Sequence, residues 1–282
     1  LLGSPPALRE RGARDGYLYL KNILDPEALL AIRRQVLEVC DRHGWLEPGK
    51  PLMNGMSRPG FFAVESNAPE WLGLYREVQK IRDLHALALN AALIDVFRKL
   101  FDETVLTHSR NICRIIFPHS EKFTTPPHQD FWHIQGTPET WTCWAPLGDC
   151  PRELGGLAIL PGSHKGGVLE SKEAYGAGGR GIETNPKALW HNNEMSSGDV
   201  LLFHSLTVHQ GMDNRTSDRL RLSLDYRYQP LSQPVRADSL LPHGRKNSEG
   251  EQVWEEVYGE WPTADGLKYY WRGLPIQLLP IK

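Results

Sequence analysis

Arg219-Leu-Arg-Leu-Ser-Leu-Asp-Tyr-Arg-Tyr228 alternates without a break. In an extended strand successive side chains point to opposite faces. One face therefore carries Arg219, Arg221, Ser223, Asp225 and Arg227, and the other Leu220, Leu222, Leu224, Tyr226 and Tyr228. Such a strand is either an edge with a solvated charged face or the wall of a barrel, with its apolar side under helices and its polar side lining a lumen. In the second case the arginines and Ser223 suit an anionic ligand, because a guanidinium clamps a carboxylate through two parallel hydrogen bonds. Just upstream, Gly198-Asp-Val-Leu-Leu-Phe-His204-Ser-Leu-Thr-Val-His209 reads as a Gly-Asp turn feeding a buried strand. Further short apolar or alternating runs at 105–117, 141–147 and 157–160 are separated by Pro, Gly and Asp clusters, a β pattern with turn punctuation.

Ahead of this body the pattern is helical. Asp25-Pro26 offers an N-cap followed by proline at the first helical position, and Leu29, Ile32, Val36 and Val39 form an apolar stripe that Gly44 ends. A second helical region spans Pro69 to Phe101, after a loop at 47–68. The expected organisation is a flexible segment at 1–14 and one domain at 15–282. That domain has helices over about 25–101, a β core over about 105–230 and a wrapping tail at 231–282. The fold class is α+β, mainly β in its body.

Composition bounds the function. The 282 residues include 32 Lys+Arg against 34 Asp+Glu, which gives no electrostatic reason for a nucleic-acid or anionic-membrane partner. No run of 18 uncharged apolar residues is present, and residues 1–17 do not read as a secretory signal. Cys40, Cys113, Cys143 and Cys150 form no CxxC pair, which suits reduced thiols. A cytoplasmic monomer or homodimer acting on a small molecule is expected.

The chemistry starts at His128-Gln-Asp130. Residues two apart on a strand share a face, so His128 and Asp130 can hold one ion, although a strand-end His and Asp on the surface would read the same way. His204 and His209 compete as third ligand. They differ by five, so on a continuous strand only one faces inward, and His209 lies at the end of the run, where a barrel mouth would be. Two His and one carboxylate on one side of a metal leave adjacent positions open, as in non-haem Fe(II) oxygenases. A Zn or Mn hydrolase or isomerase on the same core, or a non-catalytic binding module, is the alternative.

The ordered set His128-x-Asp130, Gly155-Gly-Leu-Ala-Ile-Leu-Pro-Gly-Ser-His-Lys165, the 198–209 run and Asp218-Arg-Leu-Arg-Leu-Ser223 resembles the phytanoyl-CoA dioxygenase family, as does Asp15–Val36. The resemblance spans roughly residues 15–230. It implies a double-stranded β-helix (jelly-roll, cupin-like) core with the N-terminal helices packed on the major sheet. It also implies an Fe(II)- and 2-oxoglutarate-dependent dioxygenase that uses O₂, with ascorbate as a supporting reductant and succinate and CO₂ as co-products. His128, Asp130 and His209 would ligate iron. Arg221, with Ser223, would meet the far carboxylate of 2-oxoglutarate, and Arg219 competes for that role. Asn111 would contact the co-substrate and Trp144 would lie near the metal; a strand-end Asn and a core Trp are the plain alternatives. Phe131, Trp132 and His133 are candidates for the substrate mouth.

Overall fold

A computed structural model of the chain describes residues 2–61, 69–119, 123–244 and 251–281. The helical part comprises α1 (Pro5–Asp15), α2 (Pro26–Arg42), α3 (Pro69–Val78), α4 (Arg82–Ala88) and α5 (Ala91–Phe101), with strand β1 (Tyr17–Leu20) after α1. Asp25 caps α2, its side chain accepting from the Glu27 amide at 3.1 Å, and the stripe Leu29, Ile32, Val36 and Val39 is buried. The second helical region is three helices. Asn90 opens the last of them by accepting from the Ala92 amide, and Asp102 closes it in the left-handed region. Of the loop expected at 47–68, residues 62–68 lie outside the described residues.

Residues 5–15 correct an expectation: the segment expected to be flexible contains α1. Its single apolar anchor, Leu8, is fully buried, Arg9 Nη1 donates to the Lys99 carbonyl, and Gly12 approaches Leu100 and Trp141 closely. Gly16, at φ 74°, ends the helix in a conformation that glycine adopts without strain. An arginine-rich composition hides a helix held by one leucine and one close approach.

The β body contains β2 (Val105–Thr107), β3 (Ile112–Ile116), β4 (Trp141–Pro146), β5 (Leu157–Ile159), β6 (Lys172–Glu173), β7 (Arg180–Gly181), β8 (Val200–His204), β9 (His209–Gly211) and β10 (Arg221–Pro230). A helical turn, α6 (Phe131–Ile134), lies between β3 and β4. The major sheet runs β1-β8-β4-β10-β2, all antiparallel, with β3 also paired to β10. Facing it, β5 pairs with β9, and isolated bridges Ile159–His191 and His209–His128 extend that second sheet. This is a jelly-roll with helices on one side.

Strand β10 decides between the two readings of its charged face. Arg221, Ser223, Asp225 and Arg227 are all buried, so the polar side lines an interior. The opposite side meets the helices: Tyr226 and Tyr228 donate to the carbonyls of Leu84 and Ala88, and Phe97 stacks on Tyr228 at 4.1 Å. One apolar cluster joins α1–α5 to the outer face of the major sheet. In the tail, β11 (Val235–Arg236), α7 (Trp254–Val257) and β12 (Leu278–Leu279) accompany a second cluster around Trp254, Val257, Tyr258, Trp261 and Trp271.

Candidate metal centre and cavity

The run 199–209 is not one strand. It breaks between β8 and β9, so His204 and His209 belong to different sheets. His204 Nδ1 accepts from the Leu206 amide at 3.1 Å, and its ring packs against Trp141 and His164. His209 begins β9 and pairs with His128 through two backbone hydrogen bonds of 2.9 and 3.0 Å. Asp130 reaches the same point by a different route from strand alternation. Its backbone is right-handed helical (φ −61°, ψ −28°) at the start of α6, and the turn brings its carboxylate back over the two imidazoles.

His128, Asp130 and His209 are buried and offer ligand atoms within 4.8 Å of one another. Asp130 Oδ1 lies 3.5 Å from His128 Nε2 and 3.7 Å from His209 Nε2. His128 Nδ1 donates to the Pro126 carbonyl at 2.8 Å and His209 Nδ1 to the Thr207 carbonyl at 3.0 Å. Those bonds fix both tautomers and leave both Nε2 lone pairs converging on one point. The other oxygen of Asp130 is engaged: Thr142 donates to Oδ2, and Arg227 Nη2 lies 3.7 Å from it. Burial opposes ionisation of Asp130, but the Arg227 charge and the neighbouring imidazoles outweigh it and hold the carboxyl well below its ordinary range. Burial, then the adjacent His128, push His209 down to about 3, so this imidazole is neutral near pH 7. A neutral His209 and an ionised Asp130 are in the protonation states that metal ligation needs.

A cavity of about 370 Å³ is lined by His128 and Asp130 of these three. His108, Arg110, Ile112 and Arg114 line it at two-residue spacing, and Arg227 lines it from β10. Asn111, out of phase with that set, turns to the helices, where Nδ2 donates to His85 Nδ1 at 3.1 Å; the structure does not bring it to the cavity. Arg114 Nε contacts Asp225 Oδ2 at 2.9 Å. His133 and Ile134 line the cavity, whereas Trp132 faces away, donating to the Leu169 carbonyl with Arg180 over its ring.

Arg221 lies outside this cavity, farther along the same buried face of β10. It is 4% exposed, and its Nη1 donates to the Gly156 carbonyl at 2.9 Å. Ser223, two residues on, is buried with a hydroxyl that has no hydrogen-bond partner among the described residues. Arg219 sits at the surface, 3.6 Å from Glu153. Trp144 shares the face of Thr142 on β4 and packs among Ile159, Leu201 and Phe203; a Cβ on Gly156 would lie 4.0 Å from its ring. Arg221 and Trp144 thus meet around Gly156. Thr142, Arg227, Arg110 and Arg114 were not singled out as site residues from sequence, although Arg227 stood on the polar face of its strand.

Among the described residues no helix is long and apolar enough to cross a membrane, and all four cysteines are buried and unpaired. The family model of phytanoyl-CoA dioxygenase (PhyH) matches residues 12–222. A 1-deoxypentalenic acid 11-beta-hydroxylase of Streptomyces arenae is 30% identical over 92% of this chain and 96% of its own. The peroxisomal phytanoyl-CoA dioxygenase of Rattus norvegicus is 26% identical over 72% of this chain and 62% of its own. Among solved structures, the epimerase SnoN in complex with Fe3+, alpha ketoglutarate and nogalamycin RO superposes with a TM-score of 0.53 at 20% identity, covering 89% of this chain and 95% of SnoN. The carbocyclase SnoK gives 0.55 at 21% identity, over 83% and 88% of the two chains. With three quarters of its length inside the family model and a hydroxylase relative matched almost end to end, the chain belongs to the phytanoyl-CoA dioxygenase family.

Proposed function

We propose that this chain is an Fe(II)- and 2-oxoglutarate-dependent dioxygenase that hydroxylates, or otherwise oxidises, an unactivated C–H of a small molecule. The observation that carries this reading is the convergence of His128 Nε2, His209 Nε2 and Asp130 Oδ1 on one buried point beside a cavity. The donor set suits ferrous iron: two imidazole nitrogens and one carboxylate oxygen on one side leave positions for a co-substrate and O₂. Iron with 2-oxoglutarate and O₂ would supply the oxidising chemistry, releasing succinate and CO₂.

The protein's share is ligation, orientation and enclosure. Thr142 and Arg227 engage Oδ2 of Asp130, so Oδ1 alone is aimed between the imidazoles. The Pro126 and Thr207 carbonyls keep the imidazole protons on Nδ1. Arg221 would take the far carboxylate of 2-oxoglutarate, and the unpartnered Ser223 hydroxyl beside it would add a donor. Trp144 would close one wall of that space, and the 370 Å³ cavity would receive the substrate. The named activity of the Streptomyces relative supports hydroxylation as the outcome.

The test is conversion of 2-oxoglutarate to succinate by purified protein with Fe(II) and ascorbate, with O₂ consumed in step. Zn(II) in place of Fe(II) is expected to give none. Absence of succinate from a protein shown to bind Fe(II) would refute the assignment.

A further inference from the structure

Among the described residues that line the cavity, one arginine, Arg110, has no carboxylate partner and no part in the triad. Arg110 precedes β3 and faces the cavity with His108, Ile112 and Arg114. Its Nη1 donates to the carbonyls of Pro242 at 2.9 Å and Asp238 at 3.3 Å, while Nε and Nη2 find no protein acceptor among the described residues. No carboxylate there lies within ion-pair distance of it. The nearby acids are engaged by other groups: Asp238 by both arms of Arg236, Asp225 by Arg114, and Asp130 by Thr142 and Arg227. Arg227, of like charge, lines the same cavity and acts on Arg110 unfavourably. A largely enclosed guanidinium with no counter-ion, and a second one close by, is a costly arrangement unless an anion joins them. Trp71, Leu72, Ile112 and Ile134 supply apolar wall around this charge.

We infer that Arg110, backed by Arg227, forms a subsite for an oxyanion on the substrate, a carboxylate or phosphate attached to a compact apolar body. This rests on the oxygenase reading, since it puts the substrate's charged end in the triad's own cavity. It is separate from the co-substrate anchor, because Arg221 lies outside that cavity.

The experiment uses protein loaded anaerobically with Fe(II) and 2-oxoglutarate. The visible charge-transfer band of that complex reports the metal and co-substrate independently of any substrate. Calorimetric titrations with octanoate, octyl phosphate and octanamide then read the subsite. At least one of the two anions is expected to bind about tenfold or more tightly than octanamide, and the tighter anion identifies the headgroup. Arg110→Gln is expected to remove that preference while the band still forms at the same 2-oxoglutarate concentration. Arg110→Lys should retain part of it, keeping the charge but not the fork. Equal binding of anions and octanamide, no binding of either anion, or a preference that survives Arg110→Gln would overturn the subsite. So would loss of the band in Arg110→Gln, which would assign Arg110 to 2-oxoglutarate. Failure of the band in wild-type protein that still prefers the anions would refute the oxygenase reading and leave the subsite standing. Should Arg110→Gln not fold, the wild-type comparison and Arg110→Lys decide the matter.

Discussion

Asp130 illustrates how a ligand is prepared before a metal arrives. A carboxylate can coordinate through either oxygen, and a hydroxyl donor with a guanidinium on Oδ2 leaves only Oδ1 facing the imidazoles. Ligand and supporting residue should therefore fail differently. His128→Ala and His209→Ala each remove one of three protein donors, and Fe(II) affinity measured by anaerobic titration is expected to fall by more than about 100-fold. His204→Ala should stay within a few-fold, because that ring packs between Trp141 and His164. Thr142→Val keeps the volume but removes the donor on Oδ2. It should weaken Fe(II) by roughly 10- to 100-fold, as loss of an outer partner typically does. An unchanged Fe(II) affinity in Thr142→Val would mean that Arg227 and the turn of α6 orient Asp130 without it.

At the scale of elements, β10 places Arg221 and Arg219 in opposite environments two residues apart. Arg221 is the first residue of the strand and is buried against Gly156; Arg219 precedes it and reaches Glu153 at the surface. Arg221→Ala should raise the KM for 2-oxoglutarate about 30-fold or more, the loss expected for a buried charge-assisted contact. Arg219→Ala should change it by less than about threefold, since exposed ion pairs contribute little. The reverse order in steady-state kinetics would exchange the two roles. Strand β10 was legible in sequence because strict alternation survives any packing. Asn111 was not, because a side chain's face depends on phase: His108, Arg110, Ile112 and Arg114 take the cavity side, and position 111 falls to the helices. The break between β8 and β9 was equally hidden. Ser205-Leu-Thr-Val208 is as apolar and β-prone as the strands it separates, and the crossing between sheets is held by long-range bonds such as Thr207 Oγ1 to the Gly16 carbonyl. The spacing argument expected His128 and Asp130 on one face of a strand, whereas a helical turn, not an extended strand, brings their side chains together.

Across the whole molecule, polar groups are enclosed wherever the helical coat and tail cover the sheet, and several are histidines held neutral. His85, on α4, packs against the tail aromatics Trp254 and Trp261, donating to the Gln79 carbonyl and accepting from Asn111. Burial pushes it down to about 4; His108, donating to the side-chain Oε1 of Gln229, is likewise pushed down to about 4 by burial. The sign of the resulting pH dependence follows directly. In the unfolded chain these imidazoles take up a proton near pH 6.5, whereas the folded protein refuses it until about pH 4. Between those values the unfolded state binds more protons, so stability present above pH 6.5 is lost as the pH falls towards 4. Each group can contribute up to roughly 3 kcal/mol across that window. Urea denaturation of the metal-free protein at pH 7.5 and pH 5 should therefore show a clear loss at the lower pH. His85→Gln keeps a donor and an acceptor but cannot titrate. It is expected to be less stable than wild type at pH 7.5 and to lose measurably less on going to pH 5. A pH dependence identical to that of wild type would show that His85 is not protonated on unfolding in this range, and that the acid sensitivity arises elsewhere in the molecule.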